Sequence, residues 1–182
     1  MATTMKLIAK TVLGSSAASV TFSSIPGTGY TDLVIIASLR NTAGNGLGSL
    51  RFNSDTGSNY SYRGLRGNGS TATSFSSAGW VSSFGTGYDE ALFFDVVPSS
   101  MTASTFASTE IYIPNYAGSA NKSVSISTVE ENNATSAEIS VWAGLWSSAS
   151  AITSVTLLPD PFGNASNFAA NSSAYLFGIT KS

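Results

Sequence analysis

The sequence predicts an all-β protein: a two-sheet antiparallel β-sandwich of jelly-roll type, in a single domain over residues 1–182. Three observations carry that expectation. Apolar residues recur at every second position, the spacing of a strand with one buried face. About ten such runs follow one another at roughly 8–15-residue spacing, as in a sandwich or barrel. Gly, Pro, Asn and Asp stand between the runs, and no clear helix intervenes. A jelly roll fits best, because terminal strands can fill its core and long loops can gather at one rim.

Met5, Leu7, Ala9, Thr11 and Leu13 share one face of a first strand or short N-terminal arm. Lys6 and Lys10 ahead of Ala17-Ala18-Ser19 give the segment a superficial likeness to a secretion signal, but Lys10 interrupts an apolar run already too short for one. Val20 and Phe22 resume the alternation after a small-residue turn, and Pro26, Gly27 and Gly29 make a loop. Residues 33–39 form a near-continuous apolar run rich in β-branched side chains, a central strand covered on both faces. Leu50 and Phe52 then alternate with Arg51 and Asn53, a polar stretch with Gly57 supplies turn chemistry, and Tyr60 and Tyr62 alternate with Ser61 and Arg63. This predicts a β-hairpin over residues 50–63.

Residues 64–87 are too many for a simple turn and read as a functional loop or an excursion with one short strand. Residues 91–97, 105–113, 123–127, 138–146, 152–158 and 175–179 read as further strands, broken by Pro98, Pro114, the polar stretch from Glu130, and the pair Pro159 and Pro161.

Hydrophobic residues make up 42% of the chain and charged residues 10%, with a net charge of -2. Ser, Thr, Asn and Gly therefore supply the polar surface. Such low charge fits either a monomer of neutral surface or outer faces covered by other subunits. Without a Lys/Arg run there is no footprint for nucleic acid, and little support for an anionic membrane partner. No apolar stretch approaches the ~20 residues of a membrane-spanning helix. Cysteine and histidine are both absent, so disulfides, thiolate nucleophiles and imidazole bases are unavailable.

Carboxylates adjoin at Asp89-Glu90 and Glu130-Glu131, but strand neighbours point to opposite faces and form no facing pair. Glu130 and Glu138 flank one turn and could meet across a hairpin; solvated turn charge is the plainer expectation. Asn53, Asp55 and Asn59 offer oxygens to Ca²⁺ on paper, yet their spacing matches turn capping better. No catalytic, cofactor-binding or metal-binding residue is expected. The candidate interface residues are aromatic: Trp80, Tyr88, Trp142 and Trp146. Trp142 and Trp146 alternate with Ile139, Val141 and Leu145. Either a partner covers the tryptophan face, or both faces are buried within the chain.

Three segments carry a resemblance: residues 50–62 (LRFNSDTGSNYSY), residues 110–125 (EIYIPNYAGSANKSVS), and residues 152–158 with 173–179 (ITSVTLL and SAYLFGI). The chain resembles the small all-β virion proteins of tailed bacteriophages, notably those infecting cyanobacteria. The resemblance implies a jelly roll, usually trimeric, on the outside of the particle, and no catalytic residue set. Some members are capsid cement (decoration) proteins, and related modules end tail fibres. The chain carries no helical or repetitive shaft of the kind that joins a fibre tip to a tail, which suits the cement role better. The expected partners are the major capsid protein and further copies of the chain. The alternatives are a glycan- or receptor-binding tail-fibre domain and, least favoured, a glycan-cleaving enzyme.

Overall fold

A computed structural model of the chain describes residues 4–43, 46–76, 90–133, 137–160 and 166–180. The described residues contain no helix and form twelve strands. They are β1 (Met5–Val12), β2 (Val20–Phe22), β3 (Asp32–Leu39), β4 (Leu47–Phe52), β5 (Tyr60–Gly67), β6 (Ala72–Ser76), β7 (Leu92–Asp95), β8 (Ala107–Ile113), β9 (Lys122–Val129), β10 (Ile139–Trp146), β11 (Val155–Leu158) and β12 (Ser173–Ile179). Eight make one sheet in the order β1-β12-β3-β8-β9-β10-β5-β6, and four make a second in the order β2-β11-β4-β7. Neighbours are antiparallel throughout. The all-β, two-sheet antiparallel sandwich expected from the alternation is the fold found.

One apolar cluster fills the space between the sheets. The large sheet contributes Leu33, Ile35, Ile111, Val124, Ile126, Trp142 and Trp146, and the small sheet Phe22, Leu50, Phe52, Leu92 and Leu157. In β9 the burial alternates residue by residue: Lys122, Val124, Ile126 and Thr128 face in, while Ser123, Ser125, Ser127 and Val129 face out. Lys122 is the unusual member of the inner row. Its ammonium donates to Gly118 O at 2.8 Å and to Ala120 O, and burial pulls its pKa down. Gly144 on β10 leaves room for Leu92, whose methyls would sit 2.7–2.8 Å from an added Cβ.

The expected hairpin over residues 50–63 is not one. Its first run, β4, pairs with β11 and β7 in the small sheet; its second, β5, pairs with β10 and β6 in the large sheet. Left-handed backbone at Asn53 (φ 52) and Ser54 (φ 57) does turn the chain. The Asn53 side chain then fixes the turn to the approach to β11: its Nδ2 donates to Ala151 O at 2.8 Å, and its Oδ1 accepts from Thr153 N at 2.8 Å and Ser154 N at 3.1 Å. Held there, the chain crosses between sheets instead of folding back on β4.

The first strand also departs from expectation. A one-residue register shift between Leu7 and Ala9 divides β1 into two phases. Met5 and Leu7 face outward, while Ala9 and the following Leu13 pack against the core.

Candidate functional site

Two features outside ordinary core packing stand out: a buried ionic cluster between the sheets and the outer face of the large sheet. Four side chains from four elements build the cluster: Arg66 on β5, Asp95 at the end of β7, Glu130 just after β9, and Glu138 just before β10. The β9–β10 hairpin closes with Glu130 N donating to Glu138 O at 2.9 Å, so the two glutamates do meet across this turn. One oxygen from each of Asp95, Glu130 and Glu138 lies within 4.8 Å of the others.

Arg66 Nη2 bonds Asp95 Oδ1, and its Nε lies 2.9 Å from Glu138 Oε2, close enough for an ion pair though not aligned as a hydrogen bond. The Trp142 indole donates to Asp95 Oδ2 at 3.2 Å and to Ser140 Oγ at 3.0 Å. Asp95 and Glu130 are 1% and 2% exposed. Desolvation, reinforced by the charges of Asp95 and Glu138, pushes Glu130 up to about 8. Desolvation also raises Glu138, opposed by Arg66. The cluster ties β7 of the small sheet to the β9–β10 hairpin of the large one.

At the other end of β10, Asp55 accepts from the Trp146 indole at 2.7 Å, from Gly57 N at 2.9 Å and from Asn59 Nδ2 at 2.9 Å. The indole N–H is the main reason its carboxyl sits below the usual value. Asn53, Asp55 and Asn59 are thus turn-capping groups, as the spacing suggested.

Trp142 and Trp146 are both 2% exposed and line the inner face of the large sheet. Trp146 packs on Phe52 at 5.4 Å and stacks near Tyr60 at 6.4 Å, while Trp142 meets Phe75 at 4.5 Å. The tryptophan face is therefore the one covered within the chain. Each indole N–H reaches a carboxylate, which removes the cost of burying it. The apolar residues that alternate with them, Ile139 and Val141, are 58% and 50% exposed. Trp80 and Tyr88 lie outside the described residues.

Among the described residues, the eight exposed large apolar ones all lie on the large sheet: Met5, Leu7 and Val12 on β1, Ile36 on β3, Leu65 on β5, Val129 on β9, and Ile139 and Val141 on β10. The register sets two pairs of them side by side, Val141 opposite Leu65 and Ile139 opposite Val129, while from Leu7 a row runs across the half-buried Phe177 and the buried Val34 to Tyr112. Lys10, Glu110 and Arg63 are exposed charges among them. Beside Leu65 and Val141 a trough of about 780 Å³ opens between β6 and β10, with Arg63, Phe75 and several hydroxyls on its walls. Sequence alternation alone had marked Ile139 and Val141 as one apolar face; nothing in it said which face would look outward. The chain matches no family model and no curated protein.

Proposed function

We propose that this chain is a structural adhesion protein of a bacteriophage head, a capsid cement (decoration) protein. It seats on the outside of the shell as a homotrimer and stabilises contacts between major capsid proteins. The observation that carries the reading is the outer face of the large sheet. Eight strands ~4.8 Å apart and about seven residues long span roughly 38 by 23 Å, near 900 Å². That is about what one partner contributes to a standard protein interface, ~800 Å². Its exposed aliphatic residues, few charges and stripe of β9 serines suit a dry contact with another protein surface. The resemblance of the three sequence segments to phage virion proteins supplies the identity of that surface.

The wiring supports the jelly-roll form of the sandwich. Numbering the strands from β2, with the β8–β9–β10 meander as one position, the small sheet runs first, eighth, third, sixth, and the inner part of the large sheet second, seventh, fourth, fifth. In such a roll β1 and β12 are additions at one edge. Mechanistically, three copies in one trimer make three equivalent contacts. After the first engages, the others bind at high effective concentration, so weak single contacts give a durable clamp. The reading assigns the chain no catalytic step. Mixing purified protein with shells stripped of it is the direct test. Saturable binding is the expected result, and shells that stay bare overturn it.

The trough beside Leu65 favours a second reading, a tail-fibre domain that binds host glycan or receptor. Its apolar floor with hydroxyl walls is the kind of surface on which sugars stack and hydrogen-bond. Binding on a glycan array, with immunolabel on the tail, would favour it over the cement role; an empty array with label on the head would remove it.

A further inference from the structure

The geometry points to a Ca²⁺ site at Asp95, Glu130 and Glu138 that clamps the two sheets together. The three carboxylates come from β7 and from both sides of the β9–β10 turn, and their oxygens lie within 4.8 Å of one another. Calcium holds oxygens at about 2.3–2.6 Å, so one ion can reach all three.

A second observation lies in Glu130 itself. Its side chain is almost wholly buried, yet Oε2 has no hydrogen-bond partner. A buried carboxylate oxygen left without a donor is costly unless something else satisfies it. Arg66 does not do so: its guanidinium is committed to Asp95 and lies against Glu138. Ionised together, three carboxylates against one guanidinium carry two negative charges, which one divalent cation brings to zero, whereas in the empty site burial holds Glu130 as the neutral acid.

Glu138 also lines a depression of about 330 Å³ together with Asn68 and Glu131. Calcium is the choice over magnesium because an irregular set of three carboxylates beside an arginine suits its flexible coordination. Magnesium demands a near-ideal octahedron and keeps its waters.

The experiment uses the full chain, stripped with EDTA and dialysed, titrated with CaCl₂ by calorimetry and melted with and without the ion. One Ca²⁺ per chain is expected, with the melting temperature raised by roughly 5–10 °C when Ca²⁺ stands at about a hundred times its Kd. Glu130→Gln keeps the shape and removes the charged ligand, and it is expected to abolish the calcium response. Glu138→Gln, at a more exposed position, is expected to weaken it at least tenfold and serves if the first variant does not fold. No binding heat and no shift in the parent chain overturn the site. So does an equal response to MgCl₂, or a calcium response that survives both substitutions.

Discussion

Replacing Ile139 and Val141 together by threonine tests the outer face of the large sheet most directly. Threonine keeps the β-branch that suits a strand, so the change falls on apolar surface rather than on backbone preference. Fully burying a Val or Ile side chain is worth about 1.5–3 kcal/mol. Ile139 and Val141 are 58% and 50% exposed, so about half of that gain is still to be had in a contact. The pair therefore stands to contribute about 2 kcal/mol to each interface it enters, and losing most of it weakens that contact about 10–30-fold. Folding stability should change by less than about 0.5 kcal/mol per site, as for surface positions generally. Sedimentation velocity across a concentration series reads self-association, binding to stripped shells reads the capsid contact, and thermal melting controls for folding. A double variant that melts like the parent, assembles like the parent and coats shells like the parent refutes the adhesive role of this face.

Further consequences concern the interior. Gly144→Ala places a methyl 2.7–2.8 Å from the Leu92 methyls in the packed core and should destabilise by about 1–3 kcal/mol, read by urea unfolding. Asn53→Ala removes the bonds to residues 151–154 and keeps left-handed backbone without the side chain that favours it; a loss of about 2–3 kcal/mol is expected. Asn53→Gly should recover roughly 1 kcal/mol of that by relieving the backbone alone, and equal melting of the two variants would contradict this account. Asp55 has a folded pKa below its ordinary value, held there first by the Trp146 indole. Its contribution is therefore present above the unfolded value of 3.8 and is lost as pH falls through the lower folded value. Asp55→Asn should thus melt earlier than the parent at pH 6, with the gap closing as pH falls below 3.8; a constant gap would show that the carboxylate charge is not involved.

Most strands could be read from the chain because alternation is a local property. Residues 123–127 and 138–146 appear as β9 and β10 with inner and outer rows nearly as spaced. What alternation does not encode is direction. On β10 both rows are apolar, and the row with tryptophans went inside because Asp95 and Asp55 wait there for the two indole N–H groups. Sheet membership was equally illegible around Asn53. The turn residues were right, but the bonds that decide where the chain goes next come from residues 151–154, about a hundred positions away. The shift in β1 is a backbone irregularity with no side-chain signature at Ile8. The Glu130–Glu138 meeting could be foreseen from the turn between them, whereas Arg66 and Asp95 arrive from other strands and carry no local sign of the association.

The pairing of the first strand with the last has a mechanical consequence. Met5 lies opposite Ile179, and Thr180 N bonds Thr4 O, so the two ends of the ladder leave the body side by side. Tension applied across those ends opens β1 from β12 one rung at a time, the weakest way to strain an antiparallel ribbon. Shear applied along the two strands instead loads every rung at once. This edge ribbon therefore resists sliding far better than peeling, and a load taken up at Met5 and Ile179 starts the peeling at one corner of the large sheet.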